Sequence, residues 1–415
     1  MTTPWPTYDL LIVGGGQAGR RAAEGARSVA PDITVAIIGD EPHAPYDRPA
    51  LSKAALETPD GITACEVRTR DSYAADRIDL LTGQRVVRID QPGQAVWMAD
   101  GHRLGYGRLI LATGSRPRML DVPAGVADRV MTLRTREDAI CLSALLTPAA
   151  RIVIIGGGFI GLEVASAAIA RGALPIVLEA GDQLLGRVMP AAIGARVHAL
   201  HRAAGVDVRL STAVNGMAVG PDGTVLVQTA LGAIEADVVV VGIGVVPNVE
   251  LALDTGLAVD DGIVVDETGA TDDPLIFAAG EVTRRPVAGS ARSLRLESWQ
   301  VAELQAEATG RTAAGVPTPH LTPPWFWSDQ LGSNIQVLGH LDGTPVERTY
   351  PDGGWVLFVL DDNGALRGMA AIDSGRDIST GRRLLGLQHP MDPAALAAPL
   401  TPLRSFIVKT PHVST

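Results

Sequence analysis

A chain of 415 residues can hold two or three domains with ample core. Its 46% hydrophobic and 20% charged content is that of an ordinary globular protein. The net charge of −11 argues against nucleic acid or an anionic membrane as the main partner. The only cysteines, Cys65 and Cys141, form no CxxC, which excludes a redox dithiol within one motif and an iron–sulfur cluster held by this chain alone. No targeting segment is visible, and the most apolar stretch, 238–246, is too short to span a bilayer. A soluble, cytoplasmic protein is expected.

In chain order, Tyr8 to Val13 is a continuous apolar run, the pattern of a buried parallel strand. A Gly-rich turn, Gly14 to Gly19, follows, then an Ala-rich helical stretch to about Val29 and a second strand from Ile33 to Ile38. This βαβ unit of about 30 residues is the size a dinucleotide fingerprint requires. Short strands are predicted at Val86–Ile89, Ala95–Met98 and Arg108–Ala112. The βαβ pattern then recurs: a strand from Arg151 to Ile155, a turn from Gly156 to Gly161, a helix from Leu162 to Arg171 and a strand from Pro175 to Leu178. Single strands are predicted at Ala236–Ile243 and Leu275–Ala279, and a helix at Ser298–Ala314. Beyond Pro324 the pattern changes to antiparallel strands at Ile335–Gly339, Trp355–Leu360 and Leu366–Ile372, the last two joined through an Asp-Asn-Gly turn at 362–364. Helices follow at Asp377–Leu385 and Pro393–Ala398, the second with Asp392 as N-cap. The fold class is α/β: two Rossmann-like dinucleotide-binding domains and a C-terminal α+β domain.

Both turns carry the GxGxxG spacing, at Gly14, Gly16 and Gly19 and at Gly156, Gly158 and Gly161. The first glycine makes the tight turn, the second lets backbone approach a pyrophosphate, and the third allows close helix–strand packing. The helix N-terminus supplies free N–H groups and partial positive charge. An acid should follow roughly 20 residues on, to accept from a ribose 2′-hydroxyl. Asp40 and Glu41 do so for the first turn and Glu179 for the second. Glu179 favours NADH over NADPH, because a carboxylate there repels a 2′-phosphate. Glu163 lies two residues beyond Gly161. From spacing alone it is either a dipole-favoured acid of the first helical turns or a group reaching toward a nicotinamide.

Further motifs make the pattern specific. They are Pro45-Tyr-Asp-Arg-Pro49 with Leu51-Ser-Lys53, Ala112-Thr113-Gly114, Gly242-Ile-Gly244-Val-Val-Pro-Asn248, Leu296-Glu297-Ser298-Trp299-Gln300 and Pro324-Trp-Phe-Trp327-Ser-Asp-Gln330. With them, nearly the whole chain resembles the NADH-dependent ferredoxin reductases of bacterial oxygenase systems, within the glutathione-reductase-like flavoproteins. The resemblance implies an FAD-binding domain at 1–115 and 248–324, an NAD-binding domain at 116–247 and the α+β domain at 325–415. It implies FAD at the first fingerprint, tightly bound, with Arg48, Lys53, Val87, Ala112, Thr113, Gly114, Gly280, Glu281, Glu297, Ser298 and Trp299 around it. NADH is implied at the second, with Ile160, Glu163, Gly242 and Gly244.

On this reading NADH gives a hydride to the flavin, Lys53 stabilises negative charge on the reduced ring, and Glu163 positions the nicotinamide or handles a proton. Trp327 matches an aromatic residue between the flavin and the docked partner; a core aromatic of the third domain is the plainer alternative. The implied partner is an acidic [2Fe–2S] ferredoxin that serves a cytochrome P450 or a Rieske oxygenase. No cysteine stands before the Pro45-Tyr46 segment, so electrons must leave the flavin directly. One departure is Glu281, where the family usually has Asp after Gly280. Arg284, Arg285, Arg292 and Arg295 form the expected docking patch for an acidic protein, with an ordinary solvated loop as the alternative. The competing functions are an NADH oxidase or quinone reductase, and a flavoprotein like apoptosis-inducing factor.

Overall fold

The structure is a computed structural model that describes residues 6–407 apart from 59, 289 and 291. The last eight residues of the expected α+β domain, Lys409 among them, therefore lie outside it. The first fingerprint belongs to a seven-stranded sheet. Its parallel part runs Ile78–Thr82, Val35–Gly39, Thr7–Val13, Arg103–Leu111 and Ile276–Ala278. Every residue of Val35–Gly39 is buried, as a parallel strand covered on both faces should be. The nine-residue strand Arg103–Leu111 does two jobs: its first half pairs antiparallel with Ala95–Met98, its second half parallel with Ile276–Ala278. So the chain returns to this sheet after residue 275, and the first unit is discontinuous.

The second fingerprint belongs to a five-stranded parallel sheet in the order Asp207–Arg209, Leu174–Leu178, Arg151–Ile155, Val238–Val241 and Val130–Met131. The chain crosses between the two sheets at Ser115–Pro117 and back at Val245–Pro247, and these crossings pair antiparallel with each other. Asn248 ties them down: its amide donates to the Thr113 carbonyl at 2.9 Å, and the Thr113 hydroxyl donates to the Asn248 carbonyl at 2.7 Å.

The C-terminal unit is a five-stranded antiparallel sheet in the order Trp325–Gln330, Ser333–Gly339, Leu366–Ile372, Trp355–Leu360 and Thr344–Thr349. The helix Gly375–Leu385 packs on it through Ile378, Gly381 and Leu384. The hairpin turn at 362–364 is present, with Gly364 at φ +78°, and Asp392 caps the helix Pro393–Ala397 by accepting from the Ala394 amide.

Three expected elements differ. The single strand Ala236–Ile243 is two, Gly232–Ala236 and Val238–Val241, in different sheets. Asp237 separates them because its carboxylate turns to Arg151, at 2.8 Å. The helix expected at 298–314 contains a π-helical turn at Val301–Gln305 before the α-helix Ala306–Ala313. The sheet of the third unit gains two strands, Trp325–Gln330 and Thr344–Thr349. Among the described residues, no helix is long and apolar enough to cross a membrane, and no cluster of His, Cys, Asp and Glu could hold a metal ion.

Candidate functional site

The two fingerprints have the same construction. Gly14 at φ +128° and Gly156 at φ +108° make turns that only glycine adopts without strain. A side chain at either would strike a neighbouring carbonyl, Ala112 in one case and Gly242 in the other. Gly19 and Gly161 pack equally tightly, each against the carbonyl of its own first glycine. The middle glycines are different. A side chain at Gly16 would meet nothing within 4 Å, and one at Gly158 only the Gly242 carbonyl at 3.9 Å. Both are the N-cap residues of their helices, Gln17–Val29 and Phe159–Ala170, and no side chain caps either helix. Each turn therefore leaves an open space facing free helix N–H groups, the cradle a pyrophosphate fills.

The acids after the second strands behave differently. Asp40 is exposed at the strand end. Glu41 is held by Arg48 at 2.6 Å and by the Tyr46 hydroxyl at 2.6 Å. Glu179 accepts from the Gly157 amide and the Gly181 amide, each at 2.7 Å, so its carboxylate is fixed beside the second fingerprint. Arg187 lies over Gly244, at φ +102°, where the missing side chain makes room for the guanidinium, and 3.6 Å from Glu297.

Glu163 is buried at 4% exposure, so its presence in the first turns of the second helix is not a solvated dipole effect. It accepts from Lys53 Nζ at 2.9 Å, from Ser52 Oγ and from Ser328 Oγ. Lys53, its side chain only one-fifth exposed, also donates to the Pro49 carbonyl. One carboxylate thus joins the Pro-Tyr-Asp-Arg segment, the second fingerprint helix and the C-terminal sheet. Ser52 and Ser328 were not singled out in the sequence. Strand alternation could have found Ser328 and Gln330, which share a face of Trp325–Gln330 and are both buried.

Glu281 pairs with Arg134 and stands beside Gly114. Burial alone would raise its carboxyl, but Arg134, then Ser115 and Arg48, hold it below the usual carboxylate range. Gly280, at φ +82°, has its amide fixed by Gln305 Oε1 at 2.8 Å. Gln305 and Glu303 both come from the π-helical turn, and Glu303 reaches Gln17 and Arg20 on the first fingerprint helix. Of the remaining expected cofactor residues, Ala112 is buried at the end of the strand Arg103–Leu111, while Ile160 and Val87 are exposed. Val87 sits in a strand with a register break at 86–88 and projects away from the sheet's buried face.

Trp299, beside Glu297 and Ser298, donates to Asp47 at 2.7 Å. Its ring meets Trp327 edge-on at 5.5 Å, Trp327 stacks on Trp325 at 5.1 Å, and the exposed Arg382 lies over Trp325 at 4.5 Å. Trp327 is only partly buried, between two other indoles, rather than a core aromatic.

The expected arginine patch needs correction. Arg285 is 3% exposed, and burial pulls its guanidinium down to about 10, so it offers nothing to a docking protein. Arg284 is paired with Asp260 at 3.0 Å, and Arg295 with Asp261 at 3.3 Å and Glu297 at 2.8 Å. Only Arg292 is exposed among the four, without a carboxylate partner among the described residues.

Comparison with known proteins agrees with the motifs. The pyridine nucleotide-disulphide oxidoreductase family matches residues 8–306, and the reductase C-terminal family matches residues 325–407. The anthranilate 1,2-dioxygenase system ferredoxin–NAD(+) reductase component of Burkholderia cepacia is 43% identical over 96% of this chain and 99% of its own. Rhodocoxin reductase of Rhodococcus erythropolis is 39% identical over 94% of this chain and 92% of its own. The reductase in the covalent putidaredoxin reductase–putidaredoxin complex superposes with a TM-score of 0.91 at 35% identity, covering 97% of this chain and 98% of that one. The chain therefore belongs to the pyridine nucleotide-disulphide oxidoreductases and, within them, to the ferredoxin–NAD(+) reductases of bacterial oxygenase systems.

Proposed function

We propose that the Gly14–Gly19 turn holds FAD, that the Gly156–Gly161 turn holds NADH, and that electrons leave past Trp327 to an acidic [2Fe–2S] ferredoxin serving a cytochrome P450 or a ring-hydroxylating oxygenase. The observation that carries this reading is the Lys53–Glu163 pair. It joins a residue of the second fingerprint helix to Lys53, beside the Pro-Tyr-Asp-Arg segment, so one ion pair links the part of the chain assigned to FAD with the part assigned to NADH. When bound, FAD supplies the exchange of one two-electron donor for single electrons.

The chain's own residues supply the rest. Gly16 leaves the space for one pyrophosphate and Gly158 for the other. Glu179, fixed by two amides, presents a carboxylate to a ribose hydroxyl and disfavours a 2′-phosphate. Lys53 provides a positive charge next to the reacting ring, and the buried Glu163 keeps that charge in one place. Arg134 and Glu281 neutralise each other beside Gly114. The indoles of Trp299, Trp327 and Trp325 form a continuous aromatic path that ends under the exposed Arg382.

The test is stopped-flow reduction of the isolated protein by NADH, followed by reoxidation with oxygen, a quinone or ferredoxins. Reoxidation far faster with a ferredoxin supports the reading, and preference for oxygen or quinone overturns it. Two substitutions make the roles separable. Gly158→Ala should keep the visible spectrum of bound flavin while weakening NADH about tenfold or more; unchanged NADH affinity would remove the second fingerprint from the reading. Arg382→Glu should slow ferredoxin reduction about tenfold at low salt and spare ferricyanide reduction. Equal effects on both acceptors would place the docking surface elsewhere.

A further inference from the structure

Beyond the Lys53–Glu163 pair, Glu163 is the end of a longer buried chain of polar groups. Ser328 Oγ donates to Glu163. Gln330 Nε2 donates to Ser328 Oγ at 2.9 Å, and Gln330 Oε1 lies 2.9 Å from His201 Nε2. Ser328, Gln330 and His201 are all within 1% of complete burial. They come from two different parts of the chain: His201 from the helix Ala191–Ala203, and Ser328 and Gln330 from the first strand of the C-terminal sheet. Leu331 adds a tie to the same place, its amide donating to Ser166 of the second fingerprint helix at 2.8 Å.

The hydrogen-bond directions follow by elimination. A carboxylate paired with Lys53 accepts only, so Ser328 must give it its single proton. Ser328 Oγ can then only accept from Gln330, which turns the amide nitrogen of Gln330 to the serine. The amide oxygen therefore faces His201, and His201 must carry its proton on Nε2. Every donor in the chain points toward Glu163. Such head-to-tail bonds polarise one another and strengthen the last one, the bond to the negative charge. His201 Nδ1 is buried and has no hydrogen-bond partner among the described residues, so the opposite tautomer would bury an unpaired N–H and leave Gln330 Oε1 unsatisfied. Burial also disfavours the charged imidazolium, with Gln330 acting against that and His198 with it.

We infer that His201, Gln330 and Ser328 are positioning residues that hold the Glu163 carboxylate, and through it the Lys53 ammonium, at the place where hydride transfer occurs. None of the three touches the reacting atoms. The inference rests on the reading that Lys53 and Glu163 stand at the reacting ring, and the experiment separates the two.

Gln330→Met keeps the volume and breaks the relay. His201→Leu removes its first donor, and His201→Gln keeps a donor. In FAD-loaded protein, Gln330→Met and His201→Leu should lower the limiting rate of flavin reduction by NADH about tenfold, with the NADH dissociation constant changed by no more than about twofold. His201→Gln should recover most of the rate. A second readout does not depend on turnover: ¹⁵N spectra of the eight histidines, with the His201 signals identified by their loss in His201→Gln, should show a neutral ring protonated at Nε2 at about pH 7. A ring protonated at Nδ1, or charged, overturns the relay. So do Gln330→Met and His201→Leu proteins that lose thermal stability but keep the wild-type limiting rate. Glu163→Gln is the control. If it is impaired while Gln330→Met is not, only the relay fails. If Glu163→Gln itself reduces at the wild-type rate, the placement of Glu163 at the reacting ring fails.

Discussion

Leucine at Glu163 should destabilise the protein by about 3 kcal/mol and slow flavin reduction by NADH about a hundredfold. The stability loss comes from what is left behind. Glu163 accepts from Lys53, Ser52 and Ser328, and leucine accepts from none of them. The Lys53 ammonium would remain four-fifths buried with only the Pro49 carbonyl, and a buried charge without its partner costs more than the pair was worth. Adding Lys53→Met to Glu163→Leu should therefore restore much of the stability, because the stranded charge is gone, while the rate stays low. Glu163→Gln, which keeps an accepting oxygen, should lie between wild type and leucine in stability. Urea titration of the FAD-loaded proteins, read together with stopped-flow reduction, checks all three. A double variant no more stable than Glu163→Leu would mean that the buried ion pair is not the source of the loss.

The second large effect separates the fold from the cofactor. Gly16→Ala should leave the apoprotein as stable as wild type, since Gly16 has an ordinary extended backbone at φ −94° and open space where a side chain would sit. The same methyl group occupies the space for the pyrophosphate, so FAD should bind about a hundredfold more weakly. Gly14→Ala should fail in the opposite order. Its φ of +128° and the Ala112 carbonyl make alanine strained by about 1–3 kcal/mol or more even without FAD. Thermal melts of the FAD-free proteins and fluorescence titrations with FAD measure the two quantities separately. If Gly16→Ala binds FAD normally, the pyrophosphate does not lie where the first fingerprint would put it.

Much of this arrangement is legible in the chain because its signals are local. Tyr8–Val13 reads as a parallel strand because its apolar residues run without alternation, and it pairs in parallel with strands on both sides. The fingerprint turns read as turns because the required backbone angles belong to glycine. Where the reading failed, a distant partner changed the meaning of a residue. Asp237 sits inside an apolar run and looks like part of one strand, yet Arg151 draws it aside and splits the run between two sheets. Thr344–Thr349, with Pro345, Glu347 and Arg348, is not among the strands expected from the sequence. It is an edge strand, where proline is tolerated, and Arg348 is buried because the carbonyls of Leu396 and Thr401 accept from it. The arginines at 284, 285, 292 and 295 looked like one patch because they are close in sequence. Strand pairing sends Arg285 inward and sets Arg284 and Arg295 against Asp260 and Asp261.

By itself, then, the sequence determined the two glycine-rich cradles, the acids that follow them and the absence of a cysteine pair, since each depends on residue type and short spacing. Only the tertiary structure decided what Glu163 is. Two residues past Gly161 it could be a solvated acid or a buried one, and helix geometry allows both. Burial against Ser52, Lys53 and Ser328, which lie more than a hundred residues away in either direction, makes it an ionic anchor. Spacing along one helix cannot carry that information, because the partners that stabilise a buried charge are brought to it by the packing of three separate units.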